Sequence, residues 1–265
     1  MAKFDISVVM PALNEQANLE RAVIETVQSF EKLGIGGEIV LINDGSQDET
    51  GAIADRLAKI YPFIHVIHHA KPNGIGGSFW EGAHQAQGDV VTMLPGDGEN
   101  DPIEILRYLP LMKQVDIVVP FVYNLEVRGR SRRWVSRLYK AIINLSFGML
   151  LNYMNGTVMY RRSVLTSLTL KARGFFYQTE LLIKAIRMGY LYAEVPYALG
   201  TRSTGKSKAL TLKSFFRLSR DYLRTVYQVY VSERRTRYEI PPATATNERR
   251  VQLQMTTSTA RDLSI

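Results

Sequence analysis

The densest group of oxygen ligands in the sequence is Asp97-Gly98-Glu99-Asn100-Asp101, which follows an apolar run. Carboxylates at this density suit a hard cation, and calcium is the first candidate. An EF-hand loop that began at Asp97 would need its bidentate glutamate at position 108, where the chain has Tyr108. The group is therefore not a calcium loop of that type.

A second segment that could bind a ligand is the glycine-rich stretch Gly74-Ile75-Gly76-Gly77. Dinucleotide-binding enzymes place Gly-x-Gly-x-x-Gly directly after the first strand. Here the first apolar run is followed by Pro11 to Glu15, which contains no glycine, and the later stretch lacks the third glycine at the required offset. The sequence therefore argues against a nicotinamide-dependent oxidoreductase.

Short apolar runs alternate with amphipathic segments through the first hundred residues. The predicted strands are Ile6 to Met10, Glu38 to Ile42, Phe63 to His68 and Asp89 to Leu94, and the predicted helices are Asn18 to Leu33, Thr50 to Tyr61 and Ser78 to Gln87. This alternation is typical of an α/β fold, in which helices cover both faces of a mostly parallel sheet. Ligands bind such sheets at the carboxyl ends of the strands, here the loops that begin at Pro11, Asn43 and Pro95.

Charge is divided unevenly along the 265 residues, whose formal net charge is +8. Residues 1–126 carry 8 basic and 18 acidic side chains, whereas residues 127–220 carry 18 basic ones and only Glu180 and Glu194. A basic half of this size predicts an anionic partner such as phosphate, acidic lipid or nucleic acid. Because no nucleic-acid-binding module is recognisable, we expect no nucleic acid as a partner. The absence of cysteine excludes disulfides and thiolate metal sites.

Four segments in the first 105 residues resemble, in order and spacing, the family 2 inverting glycosyltransferases, which have the GT-A fold. They are Val8 to Glu15, Asn43 to Thr50, Gly74 to Ser78 and Pro95 to Pro102. The resemblance implies a Rossmann-like sheet, a nucleotide-sugar donor and Mg²⁺ or Mn²⁺ as cofactor. The donor-binding residues that it implies are Pro11, Ala12, Leu13, Glu15, Asp44 and Gly76. Asp44 has a second interpretation as the cap of the following helix, although Ser46 and Asp48 lie closer to the start of that helix.

The metal-binding Asp-x-Asp of that family is altered in this chain. Its first aspartate aligns with Pro95, which has no ligand atom, whereas Asp97 keeps the second carboxylate. Glu99 stands two residues further on, and alternate residues of an extended segment face the same side. We therefore expect Asp97 to be the principal metal ligand and Glu99 its helper, together with diphosphate oxygens of the donor.

Beyond Glu126 the sequence resembles one branch of the family, the dolichyl- or polyprenyl-phosphate sugar transferases. The matching segments are Arg132 to Leu138, Asn155 to Arg161 and Arg202 to Lys208. The resemblance implies a polyprenyl-phosphate acceptor, and guanidinium groups suit phosphate oxygens. The residues expected to bind phosphate are Arg133, Ser136, Arg137, Arg202 and Lys208, and those expected to be catalytic are Asp97, Arg133 and Arg202.

The scarcity of acids in the basic half bears on the acceptor. Transfer to a hydroxyl needs a carboxylate base, whereas a phosphate is already an anionic nucleophile near neutral pH. Family members that act on hydroxyls typically show a Glu-Asp pair where this chain has Gln178-Thr179-Glu180. Glu180 is therefore the candidate base, and its alternative role is a structural ion pair with a nearby arginine.

A helix predicted from about Leu210 to Ser232 has a basic face opposite an apolar one, as helices at anionic membrane surfaces and ordinary surface helices both do. Its apolar face consists of Leu212, Phe215, Phe216, Leu218, Tyr222, Leu223, Val226, Val229 and Tyr230. No run approaches the roughly 18 apolar residues of a spanning helix. We expect a cytoplasmic protein that associates peripherally with the inner face of an anionic membrane.

The predicted organisation is one GT-A domain over residues 1–232 and a disordered tail over 233–265. Within the domain, residues 1–126 form the nucleotide-sugar half, 127–208 the acceptor half and 209–232 the amphipathic helix. The predicted activity is hexosyl transfer from a GDP- or UDP-sugar to a dolichyl or polyprenyl phosphate, with inversion. Two alternatives stay open: a same-fold enzyme that acts on a saccharide or small-molecule hydroxyl, and a non-catalytic nucleotide-sugar binding protein.

Overall fold

The computed structural model describes residues 3–124, 130–198, 212–232 and 239–262. It contains a seven-stranded sheet with strand order β3-β2-β1-β4-β6-β5-β7. The strands are β1 (Phe4–Ala12), β2 (Gly37–Asn43), β3 (Ile64–His68), β4 (Gly88–Met93), β5 (Ile117–Val122), β6 (Met159–Arg161) and β7 (Tyr192–Tyr197). Within this sheet β6 alone runs antiparallel to its neighbours. The carboxyl ends of the other six strands therefore lie at one edge of the sheet.

Helices cover both faces of the sheet, so the predicted α/β fold is confirmed. They are α1 (Leu19–Leu33), α2 (Thr50–Ile60), α3 (Ile75–Gln85), α4 (Pro102–Leu106), α5 (Arg130–Phe147), α6 (Arg162–Thr166), α7 (Tyr177–Met188), α8 (Leu212–Tyr227) and α9 (Ala245–Asp262), with a 3₁₀ helix at Leu109–Lys113 and a π-helical turn at Gln228–Ser232. None of the helices in the described part of the chain has both the length and the apolar character to cross a bilayer.

The sheet separates two hydrophobic cores. On one face Ile6, Val8 and Met10 of β1 pack with residues of α1 and α2. On the other face Val9 packs with α3, α5 and α7. Alternate side chains of a strand point to opposite faces, and both faces are covered here, which explains why β1 is a continuous apolar run in the sequence.

The carboxyl-terminal segment differs from its prediction, because residues 245–262 form α9 rather than a disordered tail. Asp116, which is fully buried at the start of β5, accepts hydrogen bonds from the N–H groups of Ala245 at 2.8 Å and Thr246 at 2.9 Å. These bonds satisfy N–H groups that a helix start leaves without intrahelical partners. The segment is polar and has no marked apolar stripe, so a carboxylate far away in the sequence holds the start of this helix.

Candidate active site

The loops that follow β1 and β2 are joined by hydrogen bonds at the carboxyl edge of the sheet. Asn14 N–H donates to Ser46 Oγ at 3.0 Å, and Glu15 N–H donates to Thr50 Oγ1 at 2.8 Å. Asp48 Oδ1 accepts from Thr50 N–H, the first residue of α2. Asp48, rather than Asp44, therefore holds the start of that helix.

The predicted donor-binding residues of the first loop differ in accessibility. Pro11 and Ala12 are buried in the end of β1, whereas Leu13 and Glu15 are partly exposed. The Glu15 carboxylate accepts a hydrogen bond from Asn18 Nδ2 at 2.9 Å. Leu13 and Glu15 are thus the members of this group that a nucleotide could reach.

Asp44 holds the loop that leads into α3. Its Oδ1 accepts from Asn73 N–H at 2.7 Å and from His69 Nδ1 at 2.7 Å, and its Oδ2 accepts from Gly74 N–H at 2.9 Å. Burial raises the pKa of Asp44, but the hydrogen bonds from His69, Asn73 and Gly74 outweigh it, so the pKa lies below the ordinary value of 3.8. The ionised carboxylate therefore connects the loop after β2 to the loop that leads into α3.

The glycine-rich loop packs against the segment that precedes α7. Gly76 N–H donates to the carbonyl oxygen of Arg173 at 2.9 Å, and a Cβ on Gly76 would lie 2.7 Å from the carbonyl oxygen of Ala172. Gly74 has a φ of +86°, which a residue with a Cβ rarely adopts. Gly76 was predicted to bind the donor, and the structure shows that close packing already requires a glycine there.

Asp97 lies in the loop after β4, beside the end of β1, because Gly96 N–H donates to the carbonyl oxygen of Pro11 at 3.0 Å. The loop turns at Gly98, whose φ is +66°, and Glu99 N–H donates to Asp97 Oδ1 at 3.0 Å. The expectation of an extended segment between Asp97 and Glu99 is therefore wrong. Asp97 stays partly exposed at the carboxyl edge of the sheet.

The described residues contain no group of three His, Asp or Glu side chains that could hold a metal ion by themselves. One or two carboxylates suffice for Mg²⁺ when substrate phosphates and water complete the shell. The hard oxygen donors of Asp97 and Glu99 fit a cation that binds together with a diphosphate. They do not fit a cation site that is complete without the substrate.

A cavity of about 380 Å³ lies at the carboxyl end of β5 and is bounded by α5. Arg133, Ser136 and Arg137, all predicted to bind phosphate, line it together with Lys140. These four residues have the spacing i, i+3, i+4, i+7, which places them on one face of α5. No aspartate or glutamate is among the described residues that line the cavity. The sequence interpretation missed Lys140, which the same helical spacing could have revealed.

Three other basic residues come from the segments that resemble the family. Arg202 and Lys208 lie outside the described residues. Arg161, from the segment that resembles a turn and strand of the family, donates to Asp116 Oδ1 at 3.1 Å at the opposite edge of the sheet. Arg161 therefore has a structural role.

Glu180 is almost completely buried in α7. Its Oε1 lies 2.6 Å from Lys184 Nζ, and its Oε2 accepts from Ala172 N–H at 2.8 Å. The structural ion pair is present, with a lysine in place of the expected arginine. Both carboxylate oxygens thus hold the segment that contacts the glycine-rich loop.

An apolar face of α5 is exposed beside the basic cavity. It consists of Trp134, Val135, Leu138, Ile142 and Leu145, which are between 43% and 85% exposed. Large apolar patches exposed in this way commonly mark contact with another protein or a membrane. Arg137, at the border of the two faces, lies 5.7 Å from the centroid of the Trp134 ring.

The apolar face predicted on the last long helix is divided in the structure. Leu218, Tyr222, Val226 and Val229 pack against the core, whereas Phe216 and Leu223 are exposed. The side chains of Leu212 and Phe215 lie outside the description. Tyr222 OH is within 2.8 Å of Ser146 Oγ, so α8 packs against the end of α5.

The fold and the loops at its carboxyl edge agree with the family whose model matches the chain. Residues 7–169 match the model of glycosyl transferase family 2. Since this range is more than half of the chain, the protein belongs to that family.

Two curated relatives are similar to particular parts of the chain. One is the undecaprenyl-phosphate 4-deoxy-4-formamido-L-arabinose transferase of Pseudomonas syringae pv. syringae, 34% identical over 62% of this chain and 49% of that protein. The other is the dolichol-phosphate mannosyltransferase of Pyrococcus furiosus, 28% identical over 84% of this chain and 63% of that protein. The chain thus spans 49% to 63% of the length of these relatives.

A solved structure shares the fold. It is glucosyl-3-phosphoglycerate synthase of Mycobacterium tuberculosis in complex with Mn²⁺, UDP and glucosyl-3-phosphoglycerate, with a TM-score of 0.63 and 24% identity over 91% of this chain and 82% of that chain. The same enzyme in complex with phosphoglyceric acid gives a TM-score of 0.62 at 25% identity. The predicted GT-A fold is confirmed.

Proposed function

We propose that this protein transfers a hexosyl group from a GDP- or UDP-sugar to a polyprenyl phosphate, with inversion at the anomeric carbon. The observation that carries the proposal is the basic cavity bounded by Arg133, Arg137 and Lys140 beside an exposed apolar helix face. A polyprenyl phosphate has both matching parts, an anionic head and a long apolar chain. Both curated relatives described above carry a polyprenyl or dolichol phosphate in their names.

The two halves of the reaction fit the same edge of the sheet. The donor would bind over the loops after β1 and β2, with its diphosphate near Asp97. The cavity lies at the end of β5, two strand positions from β4, which corresponds to about 10 Å. In the proposed step a phosphate oxygen attacks the anomeric carbon as the bond to the donor diphosphate breaks on the opposite side.

The described residues have distinct parts in this step. Arg133, Arg137 and Lys140 would hold and orient the acceptor phosphate, which needs no base because it is already ionised. Asp97, helped by Glu99, would hold Mg²⁺ or Mn²⁺, which when bound neutralises charge on the leaving diphosphate. Glu180 would keep the adjoining segment in place through Ala172 and Lys184.

Membrane association is the second part of the proposal. The apolar face of α5 would enter the interface of an anionic bilayer and bring the cavity to the lipid phosphate. Leu138→Ser/Leu145→Ser should abolish flotation with anionic liposomes at low salt, whereas Ile60→Ser, an exposed apolar residue on α2, should float like the wild type. Equal flotation of all three proteins would refute this surface.

A second candidate function is transfer to a hydroxyl of a small phosphorylated acceptor, since the solved neighbour binds phosphoglyceric acid. The cavity could hold the phosphate of such a molecule equally well. Incubation of the protein and membranes with radiolabelled UDP- and GDP-sugars, followed by lipid extraction, separates the two. Label in the lipid fraction supports the polyprenyl-phosphate acceptor. Label that moves from the nucleotide-sugar to another water-soluble product, with none in the lipid fraction, supports the second candidate.

A further inference from the structure

His69 lies between two carboxylates, next to the loop after β2 over which we propose that the donor binds. Its Nδ1 is 2.7 Å from Asp44 Oδ1, its Nε2 is 2.8 Å from Glu81 Oε2, and its side chain is 11% exposed. An ionised carboxylate only accepts hydrogen bonds, so both ring nitrogens must donate for both contacts to form. The imidazolium, with a proton on each nitrogen, is the form of the ring that makes both bonds.

This bridge connects three elements of the proposed donor site. Asp44 follows β2, His69 follows β3, and Glu81 lies on α3. Asp44 also binds the N–H groups of Asn73 and Gly74, where α3 begins. His69 thus holds the carboxylate that in turn holds the entrance to α3.

We infer that His69 is a positioning residue for nucleotide-sugar binding, whose two N–H groups fix Asp44 and through it the Asn73–Gly74 turn. The inference rests on the proposed function, in which Asp44 lies in the donor site. With a neutral ring, one of the two carboxylates would face a nitrogen lone pair, and that contact would become repulsive. The turn after β3 would then be held less firmly, and the donor would bind more weakly.

The charges around His69 determine the direction of the pH dependence. Asp44 faces it from the turn after β2 and Glu81 from α3, while Arg173 donates to the Asn73 side chain on the same loop at 2.7 Å. Burial lowers the pKa of His69, but the hydrogen bonds and charges of Asp44 and Glu81 outweigh it, so the pKa lies above 6.5. The bridge is therefore complete below pH 6.5 and is lost as the pH rises through the raised pKa.

The test combines nitrogen NMR with calorimetry on the full chain. The sequence has four histidines, His65, His68, His69 and His84, so single glutamine variants assign every ring signal. UDP and GDP are titrated into the protein below and above the measured titration of His69. We expect the affinity for whichever of the two nucleotides binds to fall roughly tenfold as the pH rises through the titration of His69. A fall of this size is the effect of one lost hydrogen bond to a charged group, and kcat should not change.

Two variants provide the comparison. His69→Gln should bind nucleotide with the weak affinity at every pH, whereas His84→Gln, an exposed histidine on α3, should follow the wild type. Should His69→Gln fail to fold, Glu81→Gln removes one acceptor charge from a residue that is 43% exposed. In Glu81→Gln both the His69 titration and the loss of affinity should move to lower pH.

The outcomes separate this inference from the proposed function. Nucleotide affinity that stays constant through the His69 titration overturns the inference while the function stands. If neither nucleotide binds at any pH, the proposed function fails, and the bridge is judged by NMR alone. In that case Asp44→Asn must lower the pH at which His69 titrates, and an unchanged titration refutes the bridge.

Discussion

The loops after β1 and β2, over which we propose that the donor binds, differ from the basic cavity in the partners of their charged side chains. In the loops, Asp44 and Asp48 accept hydrogen bonds from backbone N–H groups and from neighbouring side chains. In the cavity, Arg133, Arg137 and Lys140 lie together with no carboxylate among the described residues that line it. The carboxylates of the proposed donor site therefore have partners within the protein, whereas an anionic ligand would relieve repulsion among the cations of the cavity.

The largest expected effect concerns Asp97, the principal carboxylate that we propose holds the cation. Asp97→Asn keeps an acceptor for Glu99 N–H but removes the charge that would hold the cation. We expect activity to fall by about three orders of magnitude, because metal charge on the leaving group contributes several kcal/mol. Steady-state transfer assays measure this. Asp101→Asn, which keeps the acceptor for Ile103 N–H at the start of α4, should retain near wild-type activity. Activity of Asp97→Asn within about threefold of the wild type would remove Asp97 from the site.

The second effect concerns Glu180, whose buried carboxylate contacts Lys184 and Ala172. Glu180→Gln leaves the buried Lys184 without its counter-charge and should lower the free energy of unfolding by about 3 kcal/mol. Denaturant unfolding measures this loss, and Glu180→Gln/Lys184→Met should recover most of it. The folded variant should keep far more activity than the loss of roughly 10²–10⁴ that removal of a general base causes. A stable but inactive Glu180→Gln would make Glu180 the base.

The third effect tests whether the cavity binds an anion. Arg133→Gln should raise the KM for the acceptor between about 10- and 100-fold, the size of one lost charge-assisted hydrogen bond. The KM for the nucleotide-sugar should change little. Arg56→Gln on α2, which loses an exposed ion pair with Glu20, is the matched control and should change neither value. Equal effects of Arg133→Gln on both substrates would assign Arg133 to the donor diphosphate.

The smallest expected effect tests the contribution of Asp44 to stability. Asp44→Asn should lower stability at neutral pH by roughly 1–3 kcal/mol, because three hydrogen bonds lose their charged acceptor. Since the pKa of Asp44 is depressed, its contribution is present above pH 3.8 and lost as the pH falls through the folded pKa. The stability difference between variant and wild type should therefore shrink below pH 3.8. A difference that is constant down to pH 2 would contradict this account.

Some of these structural features could be predicted from the sequence, and others could not. The strands β1 to β4 lie within two residues of their predictions. For the inner strands β1 and β2 the reason is burial on both faces, which makes most of each strand an apolar run. The strand β5 was not predicted, since Pro120 interrupts its apolar run. The cavity face of α5 follows from helical spacing, which is local information.

The missed features depend on contacts between distant segments. Asp116 binds Ala245, 129 positions away in the sequence, and this contact explains why a polar segment begins a helix. Asp44 binds Asn73 and Gly74 in the same way, 29 and 30 positions away. The bridge through His69 likewise has no local signature. Sequence patterns indicate which residues carry charge, but their hydrogen-bond partners depend on which distant segments the fold brings together.

The central claim is that the acceptor supplies an ionised phosphate to the basic cavity. The most direct test offers the purified protein a nucleotide-sugar with either a polyprenyl phosphate or the matching free polyprenol. We predict transfer to the polyprenyl phosphate and none to the alcohol, even at high concentration, because the described residues that line the cavity include no aspartate or glutamate to activate a hydroxyl. Transfer to the free alcohol, or to a soluble glycan, at the rate seen with the lipid phosphate would contradict the account.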